Sequence, residues 1–195
     1  MPIRAQHDSL RPKKEKYDRK EEIIYDGKLY RRYNNYATFG AGFVGMDNRT
    51  DVSKAIGIDF QFHIRRQHFQ MGLNMSGTEF MSNNNVQAHL GYGYRKEKNV
   101  VNYAVFAGPS FFYGVLALQD STYGIIPYYY SSMGVYFSAQ AVTKFTYDIG
   151  FGVELSGEYS PQQSSLGIKF ILFFSGSYRG PKKNYNPHVR AENKR

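Results

Sequence analysis

Apolar and polar residues alternate one by one along most of the chain between residues 36 and 175. In 56–64, Ile56, Ile58, Phe60, Phe62 and Ile64 share one face, and Gly57, Asp59, Gln61 and His63 share the other. The run 69–76 sets Phe69, Met71, Leu73 and Met75 against Gln70, Gly72, Asn74 and Ser76. Val86, Ala88, Leu90, Tyr92 and Tyr94 then oppose Gln87, His89, Gly91, Gly93 and Arg95. Ile149, Phe151, Val153 and Leu155 oppose Asp148, Gly150, Gly152, Glu154 and Ser156. Finally Leu166, Ile168, Phe170, Leu172 and Phe174 oppose Gly167, Lys169 and Ser175, with Ile171 and Phe173 interrupting the polar face. A period of two predicts half-buried strands. Three less regular runs, 36–46, 101–118 and 129–143, complete a set of eight. Their apolar positions are Phe39 and Phe43, then Val101, Tyr103, Val105, Phe111 and Val115, then Met133, Val135 and Phe137.

Strands of roughly 9–18 residues exceed the 5–6 typical of water-soluble sheets and suit a tilted membrane crossing. The polar face carries Asp59, His63, Arg65, His89, Arg95, Glu154, Glu158 and Lys169 with many Gly, Ser, Gln and Asn. Turned inward, the bulky apolar face would overfill a small barrel; turned outward, it meets lipid and leaves a tight, Gly-rich interior. The expected fold is therefore all-β: an eight-stranded antiparallel transmembrane barrel with a polar, filled lumen. Connections at 65–68, 96–99 and 143–147 are short, and those at 47–53, 78–85, 119–128 and 161–165 are longer on average. Short turns face the periplasm in such barrels, which puts both chain ends there. Tyr92, Tyr94, Tyr103, Tyr113, Tyr128, Tyr129, Tyr159 and Tyr178 fall near strand ends, as an aromatic girdle requires. Pro109 removes a ladder donor and predicts irregular pairing or a bulge.

Composition narrows the chemistry. The chain has 195 residues, 18 Tyr, 15 Phe, 19 Gly and no Cys or Trp. Disulfides, thiolate zinc sites and cysteine nucleophiles are excluded. The longest apolar run, 170–174, is far too short for a helical span. The net charge of +9 would suggest nucleic acid, but its position argues otherwise. Residues 1–33 hold ten basic and six acidic residues, 179–195 hold six and one, and 34–178 hold nine of each. The body is neutral, so no basic face exists on it for a nucleic acid. Three regions follow: a basic N-terminal segment, 1–33, with a hairpin at 21–32; the barrel, 34–178; and a basic C-terminal tail, 179–195. Charged ends of this kind bury too little apolar surface to order by themselves.

Asp26-Gly27 between β-prone flanks is a two-residue hairpin signal. Such a hairpin could dock on another protein through Ile23, Ile24, Tyr25, Leu29 and Tyr30, or cap the barrel's periplasmic mouth. In the lumen, Asp59, Glu154 and Glu158 are expected to neutralise Arg65, Arg95 and Lys169 rather than line a transport path, because buried charges must be paired. The five histidines, His7, His63, His68, His89 and His188, are too scattered for a metal site on one element. No phosphate-binding glycine loop occurs, and no cofactor is expected. Asn48-Arg49-Thr50 and Asn74-Met75-Ser76 match the N-glycosylation triplet by chance, the second lying within a strand.

The alternation and strand count over 34–178 resemble the small eight-stranded outer-membrane barrels, of the type of the OmpA transmembrane domain and OmpX. The Tyr- and Asn-rich character, with Arg4-Ala5-Gln6-His7-Asp8-Ser9 at the start, looks like Bacteroidota outer-membrane proteins. That likeness implies signal cleavage after Ala5-Gln6 and a mature start at His7, although no charged region and apolar stretch precede the site. It also makes Asp8-Ser9-Leu10 and Asp120-Ser121-Thr122 candidate O-glycosylation sequences, at Ser9 and Ser121. Barrels of this type often end on an aromatic residue; Tyr178 is the candidate, with 17 residues after it. Some relatives modify lipid A with His–Ser–Glu or His, Asp and Ser near the outer surface. No histidine of this chain falls in an outer loop, which argues against catalysis. The expected function is a non-enzymatic outer-membrane barrel, an accessory or structural subunit of a larger envelope complex for secretion, barrel assembly or nutrient uptake. Its partners would be outer-membrane lipid and other outer-membrane or periplasmic proteins. The alternative is an independent adhesion or membrane-integrity barrel, with a lipid A-modifying enzyme behind both.

Overall fold

The structure is a computed structural model that describes residues 22–25, 28–31, 33–47, 52–64, 66–77, 85–120 and 124–181. Two short strands, β1 (Glu22–Tyr25) and β2 (Lys28–Arg31), precede eight long ones. These are β3 (Tyr36–Met46), β4 (Ser53–Ile64), β5 (Gln67–Gly77), β6 (Asn85–Glu97), β7 (Val101–Asp120), β8 (Gly124–Lys144), β9 (Ile149–Tyr159) and β10 (Ser164–Ser175). A last short strand, β11 (Tyr178–Pro181), follows. The eight long strands form a closed antiparallel barrel in which β10 pairs back with β3.

The register defines the barrel's shape. Tyr36 pairs with Gln61, Gln61 with Gln70, and Gln70 with Gly91. The β6–β7 register carries this path to Gly108, which pairs with Tyr136; Glu158, Ser165 and then Met46 complete the circuit. One turn around the barrel thus climbs ten positions along β3, from Tyr36 to Met46. Eight strands with that stagger tilt by about 40°. The strands of 11–13 residues then rise about 30 Å, the thickness of a bilayer's hydrocarbon core.

Alternation sorts the faces as expected. Outward positions such as Phe43, Ile56, Met71, Leu90, Phe170 and Leu172 are exposed, while Thr38, Asp59, Gln70, Glu154 and Lys169 are buried inside. Ile171 and Phe173, which interrupt the polar face of β10, also point inward and are almost completely buried. They pack with Tyr36 and Val142 into a small apolar plug.

Three details depart from the sequence-based picture, and a fourth, at Pro109, refines it. The 119–128 connection is mostly strand: β7 and β8 have 20 and 21 residues and pair down to Asp120↔Gly124. At Pro109 the expected irregular pairing is present, without a bulge. The β6–β7 ladder lapses between His89↔Ser110 and Tyr92↔Ala107 and resumes in the same register. The last barrel strand ends at Ser175, so its final outward aromatic is Phe174, not Tyr178. Tyr178 instead opens β11, which pairs with β2, so part of the expected tail joins the N-terminal hairpin in a three-stranded sheet, β1-β2-β11. The hairpin has the expected two-residue register, Tyr25 opposite Lys28; Asp26 and Gly27 lie outside the described residues.

Candidate functional site

The lumen is built in three layers between the end holding the β1-β2-β11 sheet, called the terminal end, and the opposite, hairpin end. In the middle layer Lys169 Nζ lies 2.7 Å from Glu154 Oε1 and 4.0 Å from Asp59 Oδ2, and donates to Asn74 Oδ1 at 2.6 Å. Glycines open this route. A Cβ on Gly57 would stand 2.9 Å from Lys169 Nζ and 2.2 Å from Asn74 Oδ1. Gly72 lies in register between Asp59 and His89, and a Cβ there would reach within 2.0 Å of Asp59 Oδ1. His89 Nε2 sits 2.9 Å from that oxygen, off the line of a well-directed hydrogen bond. Its ring stacks on Tyr136 with centroids 3.8 Å apart. Tyr136 Oη donates to Glu154 Oε1 at 3.3 Å, and Gln140 Nε2 donates to Glu154 Oε2 at 2.7 Å. The buried charges are thus tied to one another across the bore, which is how a low-dielectric interior tolerates them.

A second layer shuts the terminal end. Arg95 Nη2 pairs with Glu97 Oε2 at 2.9 Å, and Lys144 Nζ pairs with Glu97 Oε1. Arg95 Nε donates to Asn102 Oδ1 at 2.9 Å, and its guanidinium lies 4.4 Å from the Tyr36 ring centre. The segment entering β3 is drawn across this mouth. Tyr33 N donates to Glu97 Oε2 at 2.8 Å, Arg95 Nη1 donates to Asn34 O at 2.6 Å, and His63 N donates to Asn35 Oδ1 at 3.3 Å. Tyr33 adopts left-handed backbone, φ 54°, a conformation an aromatic residue keeps only where its surroundings hold it. Outside, the Tyr30 and Tyr147 ring centroids are 4.7 Å apart, with Tyr25 6.1 Å from Tyr147. The small sheet therefore rests on the β8–β9 turn and caps the mouth.

At the hairpin end Ser110 Oγ donates to Glu158 Oε1 at 2.7 Å, and Tyr130 Oη lies 2.9 Å from Gln163 Oε1. Between this layer and Lys169 a cavity of about 40 Å³ is lined by Asn85, Gln87, Phe112 and Glu158, space for a few waters at most. Beyond it, among the described residues, β7 and β8 continue as a pair: β6 pairs with β7 to Gly114, and β9 pairs with β8 to Val135. Their hairpin stands roughly 15 Å above β6 and almost twice that above β9.

Of the lumen charges expected from sequence, Asp59, His89, Glu154 and Lys169 meet in the middle layer. Glu158 is held by Ser110 rather than a cation, and Arg95 belongs to the terminal mouth, where its carboxylate is Glu97. His63 is not in the bore: it sits on the rim beside Asn35 and His68. Arg65, Ser9 and Ser121 lie outside the described residues, and of the hairpin only Tyr25 and Tyr30 have described apolar side chains. Glu97 and Lys144 were missed. Each continues its strand's inward parity by one more step, from Arg95 and from Val142, and that parity was the available signal. Among the described residues no group of three His, Asp or Glu could hold a metal ion.

No protein-family model matches the chain, and no curated protein matches it in sequence. Solved structures do match its shape. Neisserial surface protein A superposes with a TM-score of 0.55 at 10% identity, over 72% of this chain and 95% of that one. The N-terminal β-barrel domain of Pseudomonas aeruginosa OprF gives 0.53 at 13% identity, over 72% and 96%. Ail, the attachment invasion locus protein of Yersinia pestis, gives 0.51 at 7% identity, over 74% and 95%. The chain has the fold of the small eight-stranded outer-membrane barrels.

Proposed function

We propose that this chain is a non-enzymatic outer-membrane barrel, with both ends periplasmic, that acts through protein contact as an accessory subunit of a larger envelope complex. The carrying observation is that the bore is filled and capped while the β7–β8 hairpin stands clear of the wall with one edge of each strand unpaired among the described residues. A plugged lumen leaves function to the surfaces. Open strand edges are templates for another chain's backbone. The contact element therefore shifts from the N-terminal hairpin, whose tyrosines are occupied by the barrel, to the opposite end. Catalysis finds no support in the histidines, since His89 is packed between Asp59 and Tyr136 and His63 is bound to Asn35.

Tagged full-length chain is purified from its own membrane in mild detergent, beside a variant in which 116–127 is replaced by an Asn-Gly turn. Proteins recovered with the first and lost with the second support the proposal. A lone barrel in both preparations would sink it. The same projecting hairpin favours one second reading, an adhesion barrel. In that case the shortened variant lowers attachment to surfaces or cells while the barrel purifies alone.

A further inference from the structure

The described strands bring several basic residues to one end of the molecule. Residues 1–33 carry +4 and 179–195 carry +5 in sequence, and of these the β2–β11 pairing places Lys28, Arg31 and Arg179 on one small sheet at the terminal end. The neutral barrel is itself polarised. Among the described residues its terminal-end turns and strand ends hold Arg66, Lys96 and Lys98 against Asp148. Among the described residues its hairpin-end strand ends hold Asp47 and Asp120 against Lys54. Asp148 is engaged locally, accepting from Ser175 Oγ at 2.8 Å and Ser177 N at 2.9 Å. Inside the same end Arg95 and Lys144 share the single carboxylate of Glu97.

Depth and direction say what meets this charge. Lys96 is exposed, points out of the wall, and lies opposite Tyr103 and one pleat beyond Tyr94. Arg66 and Lys98 are exposed in the two neighbouring turns, and Lys28 is exposed on β2. Outward-facing Tyr94, Tyr103, Phe145 and Ile64 form the last apolar level before them. A lysine at that height lays its stem along the hydrocarbon and its ammonium among lipid phosphates. Arg66, Lys96 and Lys98 follow one another along the β4–β7 part of the rim, at the level where the wall passes from apolar residues to headgroups, which fits a row of lipid phosphates.

We propose that the terminal end is a binding surface for anionic glycerophospholipid headgroups of the phosphatidylglycerol class. The lipid leaflet it faces follows from the periplasmic placement of both ends proposed above; the lipid preference does not.

The full chain, folded in non-ionic detergent, is offered phosphatidylglycerol or phosphatidylethanolamine with the same acyl chains, and bound lipids are counted by native mass spectrometry. Phosphatidylglycerol should bind at least about tenfold better. R66Q/K96Q/K98Q should lower its binding roughly fivefold per charge removed, while K54Q at the opposite end leaves it unchanged. Heat-modifiable migration verifies that each variant is a closed barrel. Equal binding of the two lipids, or a triple variant that keeps the preference, overturns the proposal. So does an acidic protein that takes up the same residues in a preparation showing no lipid preference. Because the chain has no cysteine, Lys28→Cys reports orientation separately. Labelling by an impermeant thiol reagent only after outer-membrane permeabilisation supports the leaflet assignment. Labelling in intact cells overturns that assignment and leaves the detergent measurement standing.

Discussion

Gly57 and Gly72 matter as much as the charges they admit. Alanine at Gly72 would drive its methyl into Asp59 Oδ1 and to 2.7 Å from His89 Cε1, both buried and unable to swing away. Gly72→Ala should therefore destabilise the folded barrel by about 1–3 kcal/mol, seen as a lower urea midpoint for the fast-migrating folded band on gels. Gly176→Ala, with nothing within 4 Å, should leave that midpoint unchanged. Removing the central cation is harsher. Lys169→Met leaves Glu154 and Asp59 facing each other in the bore, a loss of about 3–5 kcal/mol. Lys169→Met with Glu154→Gln and Asp59→Asn should recover most of it in the same titration. The sequence showed that these residues face inward, because strand parity alone fixes the face. It did not show who meets whom. Partners across a closed bore depend on the ten-position stagger, which appears only when the last strand returns to the first. Arg95 is a separate case: its carboxylate, Glu97, is two residues along its own strand, inside the stretch 96–99 that reads as a turn.

The elements were legible in proportion to their regularity. β4, β5, β6, β9 and β10 follow the alternation closely, whereas the ends of β7 and β8 did not look like strand. Asp120, Ser121, Gly124 and Pro127 are turn formers, and in a central strand a proline would break the ladder. Among the described residues this part of β8 pairs on one side, with Pro127 opposite Ala117, so an edge without a ladder absorbs the missing donor. The N-terminal hairpin was legible from Asp26-Gly27, but its third strand was not, since nothing in Tyr178–Pro181 announces a partner 150 residues away. What anchors this sheet is aromatic contact. Tyr30→Ala should raise hydrogen exchange in 28–31 and 178–181 by roughly a factor of ten, the effect of losing about 0.5–1.5 kcal/mol of ring contact along with its buried area. Exchange in the barrel strands should not change.

At the scale of the molecule, the apolar side of every long strand faces out and the bore is occupied from end to end. In planar bilayers the chain should show no steady conductance steps, and sustained ion current of porin size would contradict the packed lumen. The outward wall was the easiest feature to foresee, because lipid contact needs only hydrophobicity at alternate positions. The polarity of the charge was not, since it depends on which turns share an end. The pairing of β2 with β11 has a further consequence, for assembly. The barrel's closing seam runs between the first and last long strands and ends at Tyr36↔Ser175. Only a few residues farther on, Tyr30 meets Tyr178. Either contact made alone closes a loop of most of the chain, an entropic toll of several kcal/mol. Once one has formed, the other is nearly local. The two behave as a clasp and its safety catch: a momentary parting of the seam leaves the chain ends still fastened, and the barrel is re-zipped before it can be lost.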